Sequence, residues 1–235
     1  MGVFANAFTA MSMGCAYVDT KVETKIIRQG EMIKGVVSLV GGKRAVEFRG
    51  IDVAYYTIYT KAHRATKLVE TRCATAFTLP AGAAEDVHFS LRISPDTPTT
   101  RFAYLKTIFD LPVPKEIKTN LKVFPSKDLE KIINILTTKF AYNNPTTETY
   151  LTQGQLVQRF TFKSKNLFGK FIDELQCYFL HVTGGIEMVM RIDKHARSFQ
   201  TVLNEISSKN QTHINVFIPP YDETQTLERY LVKGR

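Results

Sequence analysis

The stretch AYVDTKVETKIIRQGEMIKGVVSL, residues Ala16 to Leu39, decides the fold class of this chain. From Val18 to Ile26, apolar or β-branched residues alternate with polar ones, which is the period of a strand with one buried face and one solvent-facing side. Gly30 then interrupts the run, and a glycine can take the positive φ that a tight turn needs. Because the alternation restarts at Ile33, the stretch predicts a strand, a turn and a second strand.

The same alternation recurs through the first half of the chain. It covers Val46 to Thr60 and Val87 to Ile93, Leu68 to Phe77 is predicted to return as a strand, and the turn Pro95-Asp96-Thr97-Pro98 follows. A proline removes a backbone donor from the ladder, so such a turn ends the strand before it. Many short strands with turns about every ten residues indicate an all-β sandwich or barrel.

The pattern changes at Pro125. Ser126 is a suitable helix N-cap, and apolar residues follow it at helical spacing, at Leu129, Ile132, Ile133, Leu136 and Phe140. The sequence therefore predicts one long helix from about Lys127 to about Phe140, after which the strand pattern resumes. We accordingly divide the chain into an N-terminal domain, residues 1–124, a C-terminal domain with the helix, residues 125–218, and a tail, residues 219–235.

The chain is basic, since Lys and Arg outnumber Asp and Glu by 31 to 22 and the formal net charge is +9. The excess is spread over both halves and is not gathered in a tail or block. A spread charge is typical of a surface with mild nonspecific affinity for anions, whereas a nucleic-acid site needs charge on one face. We therefore predict no specific nucleic-acid partner.

The three cysteines, Cys15, Cys73 and Cys177, are odd in number and far apart in sequence. Neither a disulfide framework nor a zinc site is indicated, and a reducing compartment fits best. No segment approaches the roughly 20 apolar residues of a membrane span, and the N-terminal residues lack the basic start of a signal peptide. We predict a cytoplasmic protein without a transmembrane segment.

No catalytic, cofactor-binding or metal-binding residue is predicted. The five histidines show no metal-ligand spacing, and the chain contains no Gly-x-Ser-x-Gly, Gly-x-Gly-x-x-Gly or Walker motif. A Ser-His-Asp site requires only that three side chains converge in space, so the sequence alone does not exclude one. The lack of motifs favours a protein that is not an enzyme.

Several motifs, in their order along the chain, resemble the SpoOM family of bacterial sporulation-control proteins. The turn Arg28-Gln29-Gly30-Glu31 between two strands is similar to the family's opening, and Leu79-Pro80-Ala81-Gly82 with Val87 to Pro98 is similar to a later strand and its Pro-acidic-Thr-Pro turn. In the second half, Asp173-Glu174-Leu175 and Met190 to Arg197 also resemble the family. The likeness covers most of the chain.

This resemblance implies two tandem arrestin-like β-sandwich domains, the second carrying the helix. It also implies a non-enzymatic scaffold or regulator that recruits protein partners in sporulation control, cell differentiation, or envelope and division signalling. The residues leave an alternative open, a basic protein that associates electrostatically with membrane lipid or nucleic acid. Salt separates the two hypotheses, because an electrostatic complex weakens steeply with ionic strength. Peripheral membrane contact and a dimer also stay open.

A charged cluster beside a predicted strand end is one candidate contact site. It contains Asp193 and Arg197, with Asp173 and Glu174 available from a preceding strand. Exposed ion pairs are one interpretation, and such pairs contribute about 0–1 kcal/mol each. The resemblance to arrestin-like proteins implies another, in which these residues set domain orientation or contact a partner.

A second candidate contact site is the predicted strand from Ala16 to Ile26. We expect it to lie at a sheet edge with Lys21 and Lys25 on its solvent face, because lysines are the residues by which edges discourage self-pairing. A partner can dock an extended segment on such an edge by strand addition.

Overall fold

The computed structural model describes residues 11–12, 16–59, 64–165, 174–192 and 213–231. Within these ranges the chain forms two compact units, each with a hydrophobic core of its own. The first unit comprises Met1–Ile58, Arg64–Ser94 and Thr99–Phe124, and the second comprises Tyr59–His63, Pro95–Pro98 and Pro125–Arg235, each as far as it is described. The domain bounds 1–124 and 125–218 stay a prediction.

The described part of the first unit consists of β-strands joined by short turns. They are β1 (Met11–Ser12), β2 (Ala16–Val22), β3 (Ile26–Arg28), β4 (Met32–Gly41), β5 (Val46–Phe48), β6 (Gly50–Tyr59), β7 (Arg64–Ala74), β8 (Phe77–Leu79), β9 (Ala84–Arg92), β10 (Thr100–Asp110) and β11 (Lys115–Phe124). One sheet has the order β1-β2-β4-β9, a second has the order β3-β11-β10-β6-β7, and β5 pairs with β8. Alternate residues of these sheets meet in one core that includes Leu39, Tyr55, Leu105 and Phe109.

The opening stretch has the predicted turn between strands, but it forms three strands, β2, β3 and β4, where two were predicted. Gly30 has a φ of 79°, which places it in the left-handed region that glycine favours. The predicted strand from Ala16 to Ile26 is wrong beyond Val22, where β2 ends. Its buried residues are even-numbered, whereas Ile27 is buried in β3 and Ile26 is exposed. Between β2 and β3 the alternation of buried and exposed residues thus shifts by one residue, so that odd-numbered instead of even-numbered side chains face the core. At this point the chain passes from the first sheet into the second.

The predicted edge position of β2 is also only partly correct. The short strand β1 pairs with it, with Met11 opposite Val18 and Ser12 opposite Tyr17. On its other side β2 pairs with β4 along its whole length. On this side of the sheet, the edge among the described residues is therefore formed by β1 and by the residues of β2 that follow Val18.

The described part of the second unit is one antiparallel sheet with two helices. Its elements are α1 (Lys127–Thr138), β12 (Thr146–Thr152), β13 (Gln155–Lys163), β14 (Glu174–Val182), β15 (Gly185–Ile192), β16 (His213–Ile218) and α2 (Glu223–Leu231). The five strands follow one another in the sheet in chain order. Leu129, Ile132 and Leu136 of α1 share a core with sheet residues such as Cys177 and Met188.

Helix α1 begins where the sequence places it. The Ser126 side chain accepts a hydrogen bond from the Leu129 backbone N–H at 3.2 Å, and Asp128 and Glu130 lie in the first turn, where the helix dipole favours negative charge. The helix ends at Thr138, two residues before the predicted Phe140. A tight hairpin at Gly184 joins β14 to β15, with Val182 opposite Gly185 in their register.

Within the range predicted to be a tail, residues 219–235, the structure forms helix α2. Its Leu227 is completely buried in the core of the second unit, so this segment is part of the packed structure. The all-β class is confirmed by the strand content. In the described ranges, no helix is long and apolar enough to cross a membrane.

Candidate partner-binding groove

A groove of about 610 Å³ lies on the outer face of the five-stranded sheet of the first unit. We call it the cationic groove. Its lining comes from the start of β3 and from β6, β10 and β11, and consists of Lys25, Ile26, Ile58, Arg101, Phe102, Ala103, Tyr104, Asn120, Leu121 and Lys122. The lining contains three cations and no carboxylate.

Strand alternation and pairing register bring these side chains together. In β10 the odd-numbered residues from Ala103 to Phe109 are buried, so Phe102 and Tyr104 face outward. Tyr104 lies opposite Asn120 of β11, and Lys122 lies opposite Ile26 of β3. Residues far apart in sequence therefore share one face of one sheet.

A bulge in β10 shapes one wall of the groove. Between the pairs Thr100–Val123 and Ala103–Leu121, three steps along β10 match two along β11. The extra residue leaves Arg101 and Phe102 both exposed, and the Phe102 N–H donates instead to the Thr100 hydroxyl at 3.0 Å. Bulges are over-represented at functional sites because they redirect side chains without ending the strand.

Two large apolar side chains of the groove are exposed to solvent. Phe102 is 64% exposed and Ile26 is 57% exposed, although both are in β-strands. Among the described residues, no carboxylate lies within 4.0 Å of Lys25, Arg101 or Lys122. By contrast, Lys106 on the same face forms an ion pair with Glu116 at 2.7 Å. The groove is thus an apolar surface with a positive rim.

One of the two predicted lysines belongs to the groove and the other does not. Lys25 lines it, in the connection between β2 and β3. Lys21 is in β2, on the other sheet, and lies 4.0 Å from Asp19. The structure therefore separates two residues that the predicted strand placed on one face.

Of the predicted charged cluster, only Glu174 lies among the described residues. Asp173, Asp193 and Arg197 lie outside the described residues. Glu174 begins β14, lies opposite Lys163 in the register with β13, and accepts a hydrogen bond from the Gln176 amide at 2.8 Å. The role of this cluster stays a prediction.

Sequence reasoning missed Phe102 and Arg101. The pattern around them predicts a short strand from Ala103, and a bulge has no sequence signal of its own when no glycine marks it. In the sequence, the one available hint is that Arg101 and Phe102 stand side by side just before a predicted strand. It becomes informative only when the register shows Lys25 and Lys122 nearby.

The second unit contains a polar cluster that sequence reasoning also missed, which we call the Ser126–His181–Asp96 array. Ser126 Oγ lies 2.8 Å from His181 Nε2, and His181 Nδ1 lies 3.1 Å from Asp96 Oδ1. These three residues are distant in sequence, so no motif announces them. In the described part of the chain, no group of three His, Cys, Asp or Glu side chains is placed to hold a metal ion.

Comparison with known proteins gives consistent relatives. The sporulation-control protein spo0M of Bacillus subtilis (strain 168) is 25% identical over an alignment 252 residues long, gaps included, which covers 98% of this chain and 96% of that protein. The crystal structure of Spo0M from Bacillus subtilis has a TM-score of 0.73 at 20% identity and covers 95% of this chain and 100% of that one. The structural likeness shows a shared fold.

The family assignment follows from the match between the chain and the family as a whole. The family model described as SpoOM protein matches residues 4–196. This range includes the cationic groove and most of the sheet of the second unit. The chain belongs to the SpoOM protein family.

Proposed function

We propose that this chain is a regulatory scaffold of the sporulation-control type that recruits a protein partner through the cationic groove. Such recruitment in cell-differentiation or envelope and division signalling requires no catalytic step. Family membership supports a regulatory role, because the Bacillus subtilis relative is named as a sporulation-control protein. The single observation that carries the binding role is the exposure of Phe102 and Ile26 inside a rim of cations that have no carboxylate within 4.0 Å among the described residues.

The groove specifies the chemistry of the partner segment. Burying an aromatic side chain such as Phe102 fully stabilises a complex by about 1.5–3 kcal/mol, so an apolar residue of the partner should sit over it. Lys25, Arg101 and Lys122 favour carboxylates on either side of that residue. We therefore expect a segment in which acidic residues flank an apolar one.

The same three cations support a second candidate function. A surface with an uncompensated positive rim and protruding apolar side chains also suits the anionic surface of a membrane. In that case binding depends mainly on the fraction of anionic lipid and falls steeply with salt. Vesicles with and without phosphatidylserine distinguish this function from protein recruitment.

The test uses two substitutions in the groove, each with a matched control. Phe102→Ser removes the exposed ring, and Val113→Ser makes a similar change at a valine that is 67% exposed between β10 and β11. Lys122→Glu reverses a groove charge, and Lys115→Glu makes the same change at the other end of β11. Partner recovery from the native cell is measured by quantitative mass spectrometry for all four variants.

We expect each groove variant to lower recovery of the same partner about tenfold or more, while both controls leave it unchanged. Equal recovery by Phe102→Ser and the parent would contradict the groove as the binding site. Loss with Lys122→Glu alone, accompanied by loss of vesicle binding, would favour the membrane function over the protein partner.

A further inference from the structure

The Ser126–His181–Asp96 array joins three separate segments of the second unit. Asp96 lies in the turn that follows β9, Ser126 caps helix α1, and His181 lies next to the last residue of β14. Asp96 Oδ1 accepts two hydrogen bonds from His181, one from the backbone N–H at 2.8 Å and one from the ring Nδ1 at 3.1 Å. The histidine ring is therefore held in one orientation, with Nε2 directed at Ser126 Oγ at 2.8 Å.

The charge of Asp96 determines which atoms of the array donate hydrogen bonds and which accept them. Burial opposes ionisation of this carboxyl, but the hydrogen bonds from the His181 ring and backbone outweigh it, and the pKa of Asp96 is lowered. Asp96 is therefore a carboxylate at neutral pH and has no proton to donate. In the neutral ring of His181, Nδ1 then carries the proton and Nε2 is the acceptor for the Ser126 hydroxyl.

This order of donors and acceptors is the one that activates a serine in Ser-His-Asp hydrolases. A carboxylate fixes the imidazole tautomer, and the imidazole stands ready to take the hydroxyl proton. Ser126 is half-buried, and the His181 side chain is 17% exposed. The hydroxyl also accepts a hydrogen bond from the Leu129 backbone N–H at 3.2 Å.

We propose that Ser126 is an activated nucleophile, with His181 as its general base, that accepts acyl groups from small activated esters. This activity lies in the second unit and does not depend on the cationic groove. Asp96 is a positioning residue, because it acts through the histidine ring.

The proposed reaction has two steps. First, Ser126 Oγ bonds to the acyl carbon while its proton moves to His181 Nε2, and the bond between the acyl carbon and the alcohol oxygen breaks as the alcohol leaves with that proton. Water then attacks the acyl carbon and gives a proton to Nε2. The acyl–Oγ bond breaks, Ser126 regains the proton, and a carboxylic acid is released.

The test uses the full chain with p-nitrophenyl acetate and with a fluorophosphonate probe that phosphonylates activated serines. We expect hydrolysis above the buffer rate and a single adduct on Ser126 in the intact mass spectrum. His181→Gln should lower the labelling rate about 10²-fold or more, since it removes the general base. Ser126→Asp should abolish labelling while keeping an N-cap acceptor, so its thermal transition shows that loss of labelling is not loss of the fold.

The variant Asp96→Asn tests whether Asp96 sets the tautomer of His181, an effect that a purely structural role of Asp96 would not produce. The asparagine amide can donate to Nδ1, which favours the tautomer with the proton on Nε2 and blocks transfer from Ser126. We expect labelling to fall about 10²-fold or more and the imidazole ¹⁵N resonances of His181 to report the changed tautomer. An absence of any Ser126 adduct on the folded parent, or equal labelling of the parent and His181→Gln, would overturn the proposal.

Discussion

The cationic groove and the Ser126–His181–Asp96 array contain polar groups in opposite circumstances. In the groove, Lys25, Arg101 and Lys122 face solvent with no described carboxylate within 4.0 Å, beside an exposed phenylalanine. In the array, hydrogen bonds within the chain connect the serine hydroxyl, both imidazole nitrogens and the carboxylate. A surface of the first kind can be changed without cost to folding, whereas a change in the second affects the helix that it caps.

The largest expected effect lies in the core of the second unit. Leu136 of α1 is completely buried, so Leu136→Asp places a carboxylate in an apolar site and should lower the free energy of unfolding by about 4 kcal/mol or more. Asn134→Asp on the exposed side of the same helix should change it by about 0.5 kcal/mol or less. Urea unfolding of both variants measures the difference, and similar midpoints would show that α1 is not packed on the sheet.

A smaller effect is expected at the helix cap itself. Ser126→Ala removes the acceptor for the Leu129 N–H and the donor to His181, and it should destabilise the chain by about 1 kcal/mol. Ser126→Asp should recover most of that loss, because aspartate is an equally good N-cap. Thermal unfolding of the two variants tests this order, and a reversed order would argue against the capping role.

The contribution of Asp96 should depend on pH. Its pKa in the folded protein is lowered, so its stabilisation is complete above the unfolded value of about 3.9 and is lost as the pH falls through the folded value. Asp96→Asn should therefore be less stable than the parent at pH 7, and the difference should shrink below about pH 4. Asp86→Asn, at an exposed carboxylate of β9, serves as the control. If the stability difference between the parent and Asp96→Asn grew on acidification, ionised Asp96 would not stabilise the folded protein.

The smallest expected effect on stability is in the groove. Phe102→Ser changes a side chain that is 64% exposed, so the free energy of unfolding should change by about 0.5 kcal/mol or less. Guanidinium unfolding measures this value on the same samples used for partner recovery. A large loss of stability would show that Phe102 contributes to packing, and the contrast between the two regions would disappear.

Much of the fold could be predicted because it follows from local patterns. Period-2 alternation predicted the strands of both units, and Ser126 with the apolar residues after it predicted α1 within two residues at its end. The missed elements lack such patterns. Strand β12, TTETYLT, is mostly polar, and α2 is a short helix in a segment without a long apolar run.

The candidate sites were less predictable, because they depend on pairing between distant segments. Lys25 was singled out as a residue of an extended edge strand, but it lies in a connection between two sheets and meets Lys122 only through the pairing of β3 with β11.

By itself the sequence determined the all-β class, the turn at Gly30, the capped helix and the family, since each depends on residues close together in the chain or on their order along it. The tertiary structure alone decided which side chains meet. Register and a bulge expose Phe102 between the cations, and folding brings Asp96 and Ser126 to the two ring nitrogens of His181. Pairing register is set by the packing of whole faces, and a single step of register exchanges the buried and exposed side of a strand.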